Sequence, residues 1–227
     1  MTPRSLRRIR PLLGVGAVTL AVGLSGLAVA PAEAQAAADH IKVSKDFSSG
    51  KPRNARITIP AVGIRRLPVI AYRGKTDDAP GTRIQNRGIA AAPYGPNGGT
   101  GPGGKGNYQV TAHRTAHGGV FRRTPSLDNG ARILVDVGKY RYVYRVTRTR
   151  WVSFRSAKSL RQQRAAVPGH PGREPKRAFI TVSTCATPED HARGNYWTDR
   201  FGNPEHRIDK IGVMVRRTAN PSYEPKG

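Results

Sequence analysis

A second cysteine is missing: Cys185 is the only one in 227 residues. No disulfide can therefore form within the chain, and no metal site of paired-cysteine spacing can be built. Acidic residues are scarce too, 14 against 39 lysines and arginines, which leaves a formal charge of +25. No acidic cluster suits a calcium ion. No phosphate-cradling loop is present, because Lys105 in the Gly/Pro-rich stretch 95–106 is followed by Gly106 and by no helix pattern. That stretch is expected to be a mobile surface loop. Internal repeats are absent.

What is abundant narrows the class further. Twenty-six glycines and 18 prolines favour a turn-rich β architecture over a helical bundle. Hydrophobic residues at 37% and charged ones at 23% belong to a globular chain, not a disordered one. The basic surplus points to polyanionic surroundings: nucleic acid, an anionic membrane face, or wall polymers rich in phosphate.

The N-terminus settles part of that choice. Arg4, Arg7, Arg8 and Arg10 precede an uncharged apolar run from Leu12 to Ala30, followed by the small-residue patterns Ala32-Glu33-Ala34 and Ala34-Gln35-Ala36. Residues 1–38 thus read as either a cleaved export signal or a membrane anchor, since about 20 apolar residues span a bilayer. Both put the rest of the chain outside the cytoplasm, with the arginines inside. Without residues 1–38 the excess charge is still +22. Export argues against a nucleic-acid partner and leaves Cys185 as a free thiol or an intermolecular bridge.

Residues 39–55 are polar and read as a linker, 56–218 as the folded domain and 219–227 as a tail. Strands are expected at Arg56–Ile59, stopped by Pro60, at Leu67–Tyr72, and at Asn107–Ala112. Ala131–Val137 and Tyr140–Phe154 form a plausible hairpin across Gly138-Lys139. Ser156 caps a short helix that Pro168-Gly169 stops. A polar loop is expected from Ala186 to His206, and a last strand carries Ile211, Val213 and Val215. The tally is about seven or eight strands with one or two helices, an all-β barrel or sandwich.

The stretch Ala178–Cys185 delivers the cysteine to the end of a β-branched strand. Phe179, Thr181 and Ser183 share its parity, so its face is polar near the thiol, while Ile180 and Val182 point into a core. By itself this pattern fits a displayed, reactive thiol and a packing cysteine equally. A nucleophilic thiol needs a base or cation beside it and a group to hold an oxyanion. His113 ends a strand, as Cys185 does, and can meet it at one rim of a barrel. Arg207 directly precedes the last strand and can reach a neighbouring strand end, with Arg193 and Arg200 as rivals. A metal site from His113, His117, Cys185 and His191 lacks the usual spacing.

These residues resemble the sortase family, and within it the class E enzymes of actinobacteria. Gly106-Asn107 through His113-Arg114-Thr115 to Phe121 is similar to the family's G-N…H-R-T…F segment. Thr181-Val182-Ser183-Thr184-Cys185 resembles its T-L-x-T-C signature, with Val182 in place of Leu, and Ile57-Thr58-Ile59-Pro60 resembles its first strand. The resemblance covers roughly residues 56–217. It implies an eight-stranded sortase-type β-barrel with one or two short helices, and a cysteine transpeptidase that needs no cofactor or metal. Cys185 would be the nucleophile, His113 the proton donor to the leaving amine, and Arg207 the oxyanion-stabilising residue. The polar residues Thr181, Ser183 and Thr184 would line a peptide groove. The partners implied are secreted proteins carrying an LPxTG- or LAxTG-like sorting signal, and an amine of the peptidoglycan precursor. The 21 residues between Cys185 and Arg207 exceed the shorter loop of many sortases, and Ala186 departs from the His or Asn that class E often carries there. From a different class, the same charge and export fit a non-catalytic binder of anionic cell-wall polymer.

Overall fold

A computed structural model describes residues 50–225. The expected leader, 1–38, and most of the linker lie outside the described residues. No helix among the described residues is long and apolar enough to cross a membrane.

Eight strands close into one barrel. They are β1 (Ala55–Ile59), β2 (Ile64–Arg73), β3 (Ala90–Tyr94), β4 (Gly106–Thr111), β5 (Arg132–Val137), β6 (Tyr140–Ser153), β7 (Ala178–Cys185) and β8 (His206–Ala219). Around the barrel the order is β1-β2-β3-β4-β7-β8-β6-β5. Closure leaves no unpaired sheet edge. The interior is filled by one side of each alternating strand: Ile57 and Ile59 from β1, Ile133, Val135 and Val137 from β5, Tyr142, Tyr144 and Val146 from β6, and Ile180 and Val182 from β7. Burial of these side chains is the main stabilising contribution, at about 1.5–3 kcal/mol for each large apolar group.

The Gly/Pro stretch lies at the surface only in part, with Pro96, Asn97 and Lys105 exposed. Gly101 to Gly104 are buried, and the Gly103 N–H donates to the Tyr144 hydroxyl at 2.7 Å. Gly103 has φ +78, and a Cβ there would lie 2.1 Å from the Tyr142 ring. The segment plugs the barrel end where β4 and β7 begin, and glycine is required for that close approach.

Among the described residues three short α-helices lie on the outside: α1 (Ala79–Gln85), α2 (Ala157–Arg164) and α3 (Thr187–Ala192). Ser156 caps α2 as its position suggests, its side chain accepting from Ser159 N. The 186–206 segment is not all loop, since Pro188 starts α3 in its first turn. Neither α1 nor β3 is among the elements that apolar periodicity marks.

Two pairings position the site. β4 and β7 run parallel, with Thr111 opposite Ser183, so their C-terminal ends reach the same rim. β7 and β8 run antiparallel, with Cys185 opposite Arg207, Ser183 opposite Asp209, Thr181 opposite Ile211 and Phe179 opposite Val213. Directly paired residues share a face, so these eight form one outward-facing double row.

Candidate active site

Cys185 ends β7 and is partly exposed. Arg207 belongs to β8 itself, as its second residue, not to a preceding loop. Cross-strand pairing places its guanidinium against the thiol, with Nη1 donating to Cys185 Sγ at 3.0 Å. Arg207 is 1% exposed, and the Phe154 ring lies 4.4 Å beneath its guanidinium carbon. A charge so buried needs a counter-ion. Asp77 supplies it, accepting from Arg207 Nε at 3.0 Å. Its other oxygen accepts from Gln85 Nε2 at 3.2 Å. Asp77 has φ +56, a left-handed conformation that is uncommon outside glycine and concentrates at functional sites. The carboxylate raises the Arg207 pKa, against burial, so the guanidinium stays charged. Its Nη2 is buried with no hydrogen-bond partner among the described residues. Arg193 and Arg200 lie elsewhere, over the rings of Trp151 and Phe201.

His113 follows β4 by two residues and stands at the same rim as Cys185. Its Nε2 donates to Asn86 Oδ1 at 2.8 Å, and its ring stacks on His117 at 5.0 Å between centroids. Burial, then the charge of His117, lowers the His113 pKa; Asp77 opposes this and Arg207 adds to it. Burial pushes the Cys185 thiol up, while Arg207 and Arg114 pull it partly back.

Two clamps hold these strand ends in place. Arg114 donates to the Cys185 carbonyl at 3.2 Å and forms a two-pronged ion pair with Glu189 of α3. Asp190, also on α3, accepts from the His206 N–H at 3.0 Å and pairs with His206 Nδ1 at 2.7 Å. α3 thus ties the cysteine end of β7 to the arginine end of β8.

The expectation that Thr181, Ser183 and Thr184 line an open groove is corrected. Their exposures are 1%, 1% and 2%, and internal partners occupy their hydroxyls. Thr181 Oγ1 donates to Asn107 Oδ1 at 2.8 Å, and Thr184 Oγ1 to the Ala112 carbonyl at 2.9 Å. Ser183 and its neighbour Asp209 lie under Gln163 of α2, whose Nε2 donates to Asp209 at 3.1 and 3.2 Å. The helix covers the polar face with its one buried side chain, a polar one. Burial raises the Asp209 carboxyl to about 6.

The residues missed from sequence are Asp77, Gln85 and Asn86, all around α1. A signal existed: Asp78 accepts from Gly81 N as the helix cap, with Pro80 in the first turn, a recognisable helix start. Among the described residues, no group of three His, Cys, Asp or Glu side chains is placed to hold a metal ion.

A cysteine and a buried arginine facing each other across the last two strands of a closed eight-stranded barrel define a thiol-bearing barrel protein. The chain belongs to the sortase family: the Sortase domain matches residues 57–201, a span that includes His113 and Cys185 and ends six residues before Arg207. Among solved structures it is similar to the SrtA sortase from Actinomyces oris, at 22% identity and TM-score 0.57, covering 83% of this chain and 93% of that one. It is also similar to sortase E from Streptomyces avermitilis, at 20% identity and TM-score 0.54, covering 79% and 98%. A third is sortase E1 from Streptomyces coelicolor with a tripeptide in the active site, at 19% identity and TM-score 0.54, covering 78% and 98%. At these identities the likeness is one of fold. No curated protein sequence matches the chain.

Proposed function

We propose that this sortase is a cysteine transpeptidase acting outside the cytoplasm. It cleaves an LPxTG- or LAxTG-like C-terminal sorting signal between Thr and Gly and transfers the threonyl acyl group, with the protein attached to it, to an amine of the peptidoglycan precursor. The observation that carries this reading is the 3.0 Å contact between Arg207 Nη1 and Cys185 Sγ, with the arginine fixed from behind by Asp77.

In this reading each of the three residues has one role. The Cys185 thiolate attacks the threonine carbonyl carbon, forming a C–S bond while the carbonyl electron pair moves onto oxygen. Arg207 Nη2, a buried donor without a partner, is available to that oxyanion. Collapse breaks the C–N bond, and His113, as the imidazolium, gives its proton to the departing glycine amine. The incoming amine then attacks the thioester carbon, His113 takes a proton from that amine, and the C–S bond breaks to return the Cys185 thiolate. A raised thiol and a lowered imidazole leave the neutral pair dominant near pH 7. The thiolate–imidazolium form that reacts is a minority, in which Arg207 favours the thiolate and disfavours the imidazolium.

The test is incubation of the full chain with a panel of LPxTG and LAxTG peptides plus a glycine-type amine. The expected result is a Thr–Gly scission product and a ligated product. Both disappear in Cys185→Ala and His113→Ala. Failure of every peptide to be cleaved, in a chain shown to be folded, contradicts the reading.

A further inference from the structure

The double row of β7 and β8 does not end at the catalytic rim. Its far end, where Phe179 faces Val213, opens into a cavity of about 530 Å³ on the outer wall of the barrel. Cys185 is six residues further along β7, about 20 Å at the usual strand rise. The floor is apolar, made by Phe179, Ile211, Val213 and Val167, and the rim carries Arg148, Arg173, Lys176 and Arg177 with one acid, Glu174. His170 and Thr147 complete the lining. Among the described residues none of the four cations forms an ion pair, although five arginine–carboxylate pairs occur elsewhere. Arg148 is held by its Nη2 on the Pro168 carbonyl, while its Nε is buried with no partner.

Four cations converging on one recess repel one another, and in an ordinary fold they are relieved by carboxylates or by spreading into solvent. Here Glu174 is the one carboxylate in the lining, and it is ion-paired with none of them. The unmet need is for an anion with several acceptor oxygens, which guanidinium groups satisfy best as phosphate. The partly exposed Phe179 gives the carbon segments between successive charges an apolar surface. That combination argues for a chain of phosphodiesters. A lipid headgroup fits less well, because Ile211 and Val213 are themselves buried and no apolar side chain of the recess protrudes to enter a bilayer.

We propose that this cavity is a binding site for a phosphodiester-linked anionic polymer, separate from the catalytic rim and independent of the activity proposed above. It would hold the enzyme on its surroundings while leaving Cys185 free.

The experiment measures binding of the full chain to soluble glycerol-phosphate oligomers and, in parallel, to phosphatidylglycerol/phosphatidylcholine vesicles. Arg148→Gln/Arg177→Gln is compared with Arg65→Gln/Arg132→Gln, which removes the same charge from exposed positions on β2 and β5. Because Arg148 is partly buried, Lys176→Gln/Arg177→Gln on the exposed rim serves as a second cavity variant. The expected result is a tenfold or greater loss of oligomer affinity in both cavity variants, less than twofold in the control, and peptide cleavage unchanged in all. Equal losses in cavity and control variants would mean diffuse charge attraction and overturn the proposal. So would a cavity-specific loss on vesicles with oligomer binding intact, and so would no change in any variant.

Discussion

The two ends of the β7/β8 row show two ways of placing arginine on one surface. At the rim, Arg207 is buried, bonded to Asp77 through Nε and stacked on Phe154, so its charge is fixed in direction, toward the Cys185 sulfur. At the far end, Arg173, Lys176 and Arg177 are exposed and have no carboxylate partner among the described residues. A buried, oriented cation acts strongly on a neighbour a few ångströms away, because little water screens it. An exposed cluster acts diffusely and is weakened by salt. The first suits control of a reacting atom, and the second suits holding a polyanion.

Substitutions should separate the two ends cleanly. Cys185→Ala is expected to abolish peptide cleavage while leaving oligomer binding at the cavity within twofold. Arg207→Lys should lower kcat/KM for peptide by about 10²–10³, the scale of losing a directed oxyanion donor, since lysine cannot reproduce the planar fork. Arg193→Lys and Arg200→Lys should retain near-full activity. Abolition by Arg200→Lys with Arg207→Lys intact would transfer the role to the wrong end of the loop and break the assignment. Asp77→Asn leaves a buried guanidinium without its counter-ion, and chemical denaturation should show a loss of about 3 kcal/mol.

Between the two ends, Asp209 predicts a pH effect on stability. Its folded pKa, raised to about 6, lies above the unfolded carboxylate value. The stability it contributes is therefore full below pH ~4 and is lost as pH rises through about 6, a change of roughly 2–3 kcal/mol in that window. Asp209→Asn should flatten this component of the denaturation profile. A wild type whose stability in that window is unaffected by the substitution would show that the α2 cover does not depend on this proton. The smallest expected effect is on salt: going from 0.1 to 1 M NaCl shortens the screening length from about 10 to 3 Å. Cavity binding should fall severalfold while the Arg207–Cys185 couple, measured by peptide cleavage, shifts less than twofold.

Alternation made most of the barrel legible. Ile57 and Ile59, Ile133 to Val137, Tyr142 to Val146 and Ile180 with Val182 all mark strands whose buried side is the one their parity indicates. β3 is Ala90-Ala91-Ala92-Pro93-Tyr94, without the β-branched residues that mark a strand. α1 carries Pro80 and Gly81, both poor helix formers. Parity also told which face Thr181 and Ser183 occupy, but not what lies over it. α2 covers them with Gln163 in place of an apolar stripe, so the usual amphipathic signal is inverted. Cys185, His113 and Arg207 are legible as candidates because each lies at a strand end, the first two within sortase-like motifs. Asp77 could not, because its role depends on a contact 130 residues away in sequence.

The most direct measurement is the mass of the protein after brief exposure to a sorting-signal peptide without an amine acceptor. The account predicts an acyl adduct whose mass equals the peptide truncated after threonine, on the tryptic fragment that contains Cys185. The adduct should be absent in Cys185→Ala and released by hydroxylamine or a glycine amine. A folded wild type that cleaves the peptide without such an adduct, or carries the acyl group on another residue, would contradict it.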